Sequence, residues 1–211
     1  MARHAKTEIR AFGIRVLLSR HPEVRKLKRD NIPTNHGNKF WTSSWLLMDY
    51  FRHQGLPRRA RVMDVGCGWG LAGIYCAKKH GAVVTSVDVD SEVFPYLSLH
   101  ADINRVRINT MRKSFQGVTG NHLKNVDVLL GADICFWSSL VDPLKKLIRR
   151  ALRSGVGTVL IADPGRSSFE KLGKHFCKEM KGEILDWEVR RPRRIEGQIL
   201  KVTSEGAGAC A

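Results

Sequence analysis

An α/β fold on a mostly parallel sheet is what this sequence predicts, with helices on both faces and an antiparallel hairpin at its C-terminal end. Three observations predict it. From residue 61 onward, strand-like apolar runs alternate with segments of helical periodicity, the pattern of a parallel sheet. The first of these strands runs into a glycine-rich turn, "VMDVGCGWG", from Val62 to Gly70. Two further strand-like runs close the chain, and the link between them is too short for a crossover helix.

The elements follow in order. Residues 1–37 read as a basic arm with short helical patterns, because Ile9, Phe12, Val16 and Leu17 fall on one helical face. The turn-rich piece "NIPTNHGNKF" then leads into a body spanning 38–211. Trp41, Trp45, Met48 and Phe51 recur at helical spacing, with Thr42 or Ser43 placed to cap that helix. "RVMDV" is a strand, "LAGIYCAKKHG" a helix ending on Gly81, and "AVVTSVDV" a strand. "EVFPYLSLHADIN" is a helix despite Pro95 near its start, and "RINTM" and "NVDVLLGA" are strands. "DPLKKLIRRALRSG" is a helix, "VGTVLIAD" a strand and "SSFEKLGKHFCKEM" a helix. "EILDWEV" and "GQILKV" form the closing hairpin, which brings the sheet to seven strands.

With 211 residues, 43% hydrophobic and 27% charged, the chain fits one globular domain. No apolar run approaches the roughly 20 residues of a membrane span. The apolar patch "IRVLL" is short and interrupted by arginine, which predicts a cytoplasmic rather than a secreted protein. Cys67, Cys76, Cys135, Cys177 and Cys210 contain no CxxC pair and are odd in number. That argues against a disulfide framework or a zinc site and for a reducing cytosol. The eight histidines form no metal-ligand pattern with acids or cysteines. The net charge of +16 attracts anionic partners, an acidic protein or nucleic acid. Its competing explanation is a solvated basic surface with no dedicated partner. The charge is concentrated in residues 1–40, with ten Lys/Arg against three acids, in "KKLIRRALR" and in "RRPRR" from Arg190 to Arg194.

Gly68, Gly70 and Gly73 spell the G-x-G-x-x-G fingerprint that seats a pyrophosphate on a helix N-terminus. The same stretch places Asp64 at the strand's end, ahead of Gly66, Gly68 and Gly70. A carboxylate there, with Asp88 and Asp90 after the next strand, repels a pyrophosphate and suits a cationic ligand. Asp88, 24 residues after Asp64, stands where an acid accepts the two ribose hydroxyls of a nucleoside. Asp88 serves either kind of cofactor, whereas Asp64 and the terminal hairpin favour a nucleoside without phosphate.

On these residues the chain resembles the class I, seven-β-strand, Rossmann-like S-adenosylmethionine-dependent methyltransferases, over about residues 38–202. Within them it is most similar to the protein lysine methyltransferases that carry an Asp-x-x-Tyr signature. The tryptophan-containing "FWTSSWLLMDYF", the stretch "GADICF" and "IADPGR" carry that closer likeness. The last is similar to the subfamily acting on the β subunit of electron-transfer flavoprotein. The resemblance implies S-adenosylmethionine as cofactor, held by Trp41, Asp64, Gly66, Cys67, Gly68, Gly70, Asp88, Val89, Phe115 and Ala132. It also implies a substrate end at Asp133 and Phe136. The signature's tyrosine is Phe136 here, so the ring can wall an amine channel but offers no hydroxyl.

The expected reaction is methyl transfer to a lysine amine of a protein substrate. Asp133 would orient the amine rather than act as its base, since a carboxylate also tends to hold the proton on; its structural alternative is a helix-capping or turn acid. Phe136 and Trp137 are expected at the substrate entrance, with core packing as their alternative. Cys135 reads as an inert core thiol. Other acceptors stay open: RNA, contacted through the basic charge, or a small molecule. A non-catalytic binding module that keeps the cofactor fold is the alternative of another class, and a nicotinamide enzyme the last.

Overall fold

The structure, a computed structural model, describes residues 6–34 and 36–204. Cys210 and the first five residues of the basic segment lie outside the described residues. Strands β1 (Glu8–Ala11) and β2 (Ile14–Leu17) form a hairpin, followed by α1 (Pro22–Asp30) and α2 (Ser43–Gln54). Then come β3 (Arg61–Val65), α3 (Leu71–His80), β4 (Val83–Asp88), α4 (Phe94–Asn104) and β5 (Asn109–Arg112). A short α5 (Gly120–Leu123) precedes β6 (Val128–Ala132), α6 (Val141–Arg153), β7 (Thr158–Asp163) and α7 (Ser167–Met180). The chain closes with β8 (Glu183–Val189) and β9 (Ile195–Thr203).

The main sheet has seven strands in the order β5-β4-β3-β6-β7-β9-β8. The first five are parallel, and β9 inserts antiparallel between β7 and β8. Buried strands such as β3 and β7 read as near-continuous apolar runs because helices cover both faces. One apolar cluster holds Trp45, Leu130 and Ile74 on the α2–α3–α4 side; the other holds Leu144, Leu147 and Phe176 on the α6–α7 side. Along α2, Ser43 to Phe51 are all buried, because the helix packs on the sheet from β6 to β8 and on α3, with Phe12 of the hairpin turn stacked on Trp45.

The N-terminal segment corrects the expectation of a helical arm. Ile9, Phe12, Val16 and Leu17 belong to a hairpin turned at Phe12 and Gly13, both at positive φ (53° and 74°). The alternation of Ile14, Arg15 and Val16 is the period-2 signal that wins over the helical one. Ile14, Val16 and Leu17 are buried, and Phe12 stacks on Trp45 at 5.7 Å. The free edge of β2 is closed by side chains of α4. Leu17 N donates to His100 Nε2, Arg15 N donates to Asn104 Oδ1, and Asn104 Nδ2 donates back to Arg15 O. The segment is therefore part of the core and not a projecting arm; only α1 is helical.

Candidate active site

The chain leaves β3 toward β4 on one side, while β6 and β7 lie on the other. This reversal opens a crevice at the carboxyl ends of the strands, where open α/β sheets bind ligands. Two adjoining cavities of about 280 and about 30 Å³ occupy it. Trp41, Gly66, Gly68 and Ala132 line both. Asp88, Val89, Phe115, Asp133 and Phe136 line the larger, and Asp64, Cys67 and Gly70 the smaller. The structure thus brings together all twelve residues singled out from the sequence.

The turn after β3 needs its glycines. Gly66, Gly68 and Gly70 take φ values of 62°, 50° and 69°, a region where side chains are strained. A Cβ on Gly70 would stand 2.6 Å from Leu97 Cδ1, whereas one on Gly68 meets nothing and would project into open space. Bare backbone at Gly68 therefore leaves a floor on which a ligand can lie. Gly73 lets α3 approach the sheet: a Cβ there would come within 2.9 Å of Val84 and 3.2 Å of the Asp64 carboxylate.

Asp64 is buried at the end of β3 and accepts one hydrogen bond, from Gly73 N at 3.2 Å. Burial pushes its carboxyl up to about 8; the Gly73 N–H pulls it back and the Asp88 charge adds to the rise. Asp88 accepts from Gly68 N and Asp90 N, both at 3.0 Å, with lone pairs left toward the larger cavity. Burial raises its pKa as well, against those two N–H groups. The Cys67 and Cys135 thiols are pushed up by burial, the latter to about 11, so neither is a ready nucleophile.

Asp133 sits at φ 59°, an uncommon conformation for a residue other than glycine. Its Oδ2 accepts from Ser43 N at 3.0 Å, which makes it the tertiary cap of α2. Neither Thr42 nor Ser43 supplies the cap expected of them: Thr42 makes no capping bond, and the Ser43 N–H turns to Asp133. Asp133 Oδ1 pairs with Arg166 at 2.9 Å, and Arg166 also pairs with the buried Asp163 at 2.7 Å. Arg166 belongs to "IADPGR", but nothing in the sequence pairs it with Asp133, 33 residues earlier. Its place is fixed by Asp163, whose Oδ1 accepts from the N–H groups of Gly165 and Arg166.

The mouth of the larger cavity is aromatic. Phe136 and Trp137 meet edge to face at 4.6 Å, and Trp137 is half exposed. His36 lies against both rings at 5.3 and 5.4 Å, with Trp41 at 6.1 Å. Sequence reading missed His36 because it falls in the turn-rich linker; its left-handed φ of 59° was invisible there, although the following Gly37 marks a turn.

The chain fits S-adenosylmethionine. Asp88 would meet the ribose hydroxyls, the open backbone at Gly68 would underlie the amino-acid tail, and Phe115 offers an apolar face to the base. Asp88 suits a cation and opposes a pyrophosphate, and a bound cation would draw the proton from Asp64 beneath it. Among the described residues, no cluster of His, Cys, Asp or Glu could hold a metal ion.

Comparison with known proteins agrees. The chain is 26% identical over 142 residues to the electron transfer flavoprotein beta subunit lysine methyltransferase of Xenopus laevis, covering 64% of this chain and 56% of that protein. It is 30% identical over 138 residues to a histidine protein methyltransferase 1 homolog of Dictyostelium discoideum, covering 60% and 43%. The chain spans about half the length of the curated relatives it matches. Its fold superposes, with a TM-score of 0.54 and 20% identity, on the tRNA (uracil-54, C5)-methyltransferase of Pyrococcus abyssi solved with S-adenosyl-L-homocysteine, covering 78% of this chain and 40% of that one. The family model for lysine methyltransferases matches residues 21–183 and so begins at α1, earlier than the likeness read from the sequence. That match spans most of the described fold, and the chain belongs to the lysine methyltransferase family.

Proposed function

We propose that the chain is an S-adenosylmethionine-dependent methyltransferase acting on a lysine amine of a protein substrate. One observation carries this reading: a cavity of about 280 Å³ lined by Asp88, Gly66 and Gly68 at one end carries the aromatic side chains Phe136 and Trp137 at its mouth. The cofactor supplies an electrophilic methyl group on a sulfonium. The chain's own task is to hold the acceptor nitrogen in line with it and keep water out.

A lysine amine ordinarily titrates at ~10.4, so its neutral form costs roughly 4–5 kcal/mol at pH 7. Phe136, Trp137 and Trp41 desolvate it, which favours the neutral amine. The Arg166 guanidinium acts in the same direction because it offsets the Asp133 carboxylate, which otherwise would hold the ammonium. Asp133, tied to Arg166 and to α2, is a positioning group with one face left for the amine. The described cysteines Cys67, Cys76, Cys135 and Cys177 are free, which supports a reducing compartment such as the cytoplasm. No helix among the described residues is long and apolar enough to cross a membrane.

The charge of +16 keeps RNA as the second reading, since it favours phosphate contacts; an acidic protein surface would use the same field. Transfer of labelled methyl from S-adenosylmethionine into a host lysate separates the two. Label released by protease and recovered as methyllysine is expected. Label released by ribonuclease would replace the lysine reading with the RNA one.

A further inference from the structure

We propose that His36 is the base that takes a proton from the acceptor amine before methyl transfer; this rests on the lysine reading above. The titratable side chains lining the larger cavity are His36, Asp88, Lys113 and Asp133. Asp133 accepts from Ser43 N on one oxygen and pairs with Arg166 on the other, so the guanidinium competes for the charge that would draw a proton from the amine. Asp88 is held by Gly68 N and Asp90 N and faces the ribose end. Lys113 is a cation with no lone pair to offer. Among the described residues, no hydrogen bond occupies either ring nitrogen of His36.

The fold holds this imidazole at the mouth. Thr34 N and Oγ1 donate to Asp90 Oδ2, Trp69 Nε1 donates to Gly37 O, and Trp41 Nε1 donates to His36 O. The segment is thereby pinned on both sides of His36, whose ring stands edge-on to Phe136 and Trp137. The charged groups around the mouth are Lys39, Lys113 and Arg166 of one sign and Asp88 and Asp133 of the other. Phe136 stands where the signature has a tyrosine, and His36 supplies beside it a polar group that the phenyl ring lacks.

In the step, the acceptor ammonium gives one proton to a ring nitrogen of His36, leaving a neutral amine and an imidazolium. The amine lone pair forms the N–C bond as the S–C bond breaks, and that electron pair stays on sulfur. The product is a methylammonium, and His36, exposed at the mouth, passes its proton to water.

The test uses the full chain with host-lysate protein as methyl acceptor and labelled S-adenosylmethionine, scored as methyllysine across mildly acidic to mildly alkaline pH. His36→Gly is expected to lose roughly hundredfold in rate at neutral pH, the low end of general-base effects. It should regain rate as pH rises and when free imidazole is added. His36→Phe, which keeps a ring at the mouth, should lose rate and stay unresponsive to imidazole. Calorimetric binding of S-adenosylhomocysteine should be unchanged in both. A wild-type rate and pH profile in His36→Gly overturns the proposal, and so does a loss that imidazole fails to restore. Absence of methyllysine with the wild-type chain sinks the lysine reading itself, and this proposal with it.

Discussion

Two groups of polar side chains contrast, one at the rim where β3 and β4 end and one at the far end of α4. The α4 cluster is saturated. Asn104 uses its oxygen and its amide on Arg15 N–H and Arg15 C=O, with a further bond to His100 O, and His100 bonds Leu17 N and Tyr96 O. At the rim, Asp64 receives one N–H, and Asp88 receives one on each oxygen. Their remaining lone pairs face the two cavities, and burial raises both pKa values. Saturated polar groups fasten the fold, whereas half-satisfied ones are held for a ligand.

Substitutions break this contrast in opposite ways. The largest effect is expected at Asp88→Ala, which should weaken S-adenosylhomocysteine binding by about 3 kcal/mol, roughly hundredfold, through two lost charge-assisted bonds. Its stability should fall by less, about 1 kcal/mol, because the N–H groups of Gly68 and Asp90 lose their acceptor beside an open cavity. Equal losses of binding and stability would show that Asp88 serves the fold. Asn104→Ala should do the reverse, costing about 2 kcal/mol of stability because it strips partners from the Arg15 backbone, with cofactor affinity intact. Urea unfolding beside calorimetry reads both quantities.

Over a single pH unit the smallest effect is a titration, which sharpens the contrast. In the folded chain Asp64 titrates at about 8, against 3.8 for an aspartate in water. Between those values the native state holds a proton that the unfolded chain has released, so raising the pH costs stability there. The Asp64 contribution is full below pH 3.8 and is lost as pH climbs to about 8. The slope is at most about 1.4 kcal/mol per pH unit. Asp64→Asn should flatten that part of the cofactor-free stability curve; an unchanged curve would mean that Asp64 is ionised in the fold.

Much of the fold was legible because the repeating unit is local. The glycine turn, the helix ending on Gly81 and the strand "RVMDV" depend on residues within a few positions of one another. The N-terminal hairpin was misread because four apolar residues over Ile9 to Leu17 satisfy a helical face, and the partners that decide against it, His100 and Asn104, come 83 and 89 residues later. The cap of α2 was misassigned for a similar reason: Thr42 and Ser43 look like caps, but Asp133 reaches the helix from the end of β6.

The sequence by itself determined the order of strands and main helices from β3 onward, the glycine cradle and the two acids facing it, because chain periodicity and backbone conformation act over short distances. Only the tertiary structure decided where Asp133 spends its charge and what stands at the mouth. Arg166, Ser43 and His36 come from three separate segments, and an ion pair or an aromatic contact between such segments is set by packing rather than by neighbours along the chain.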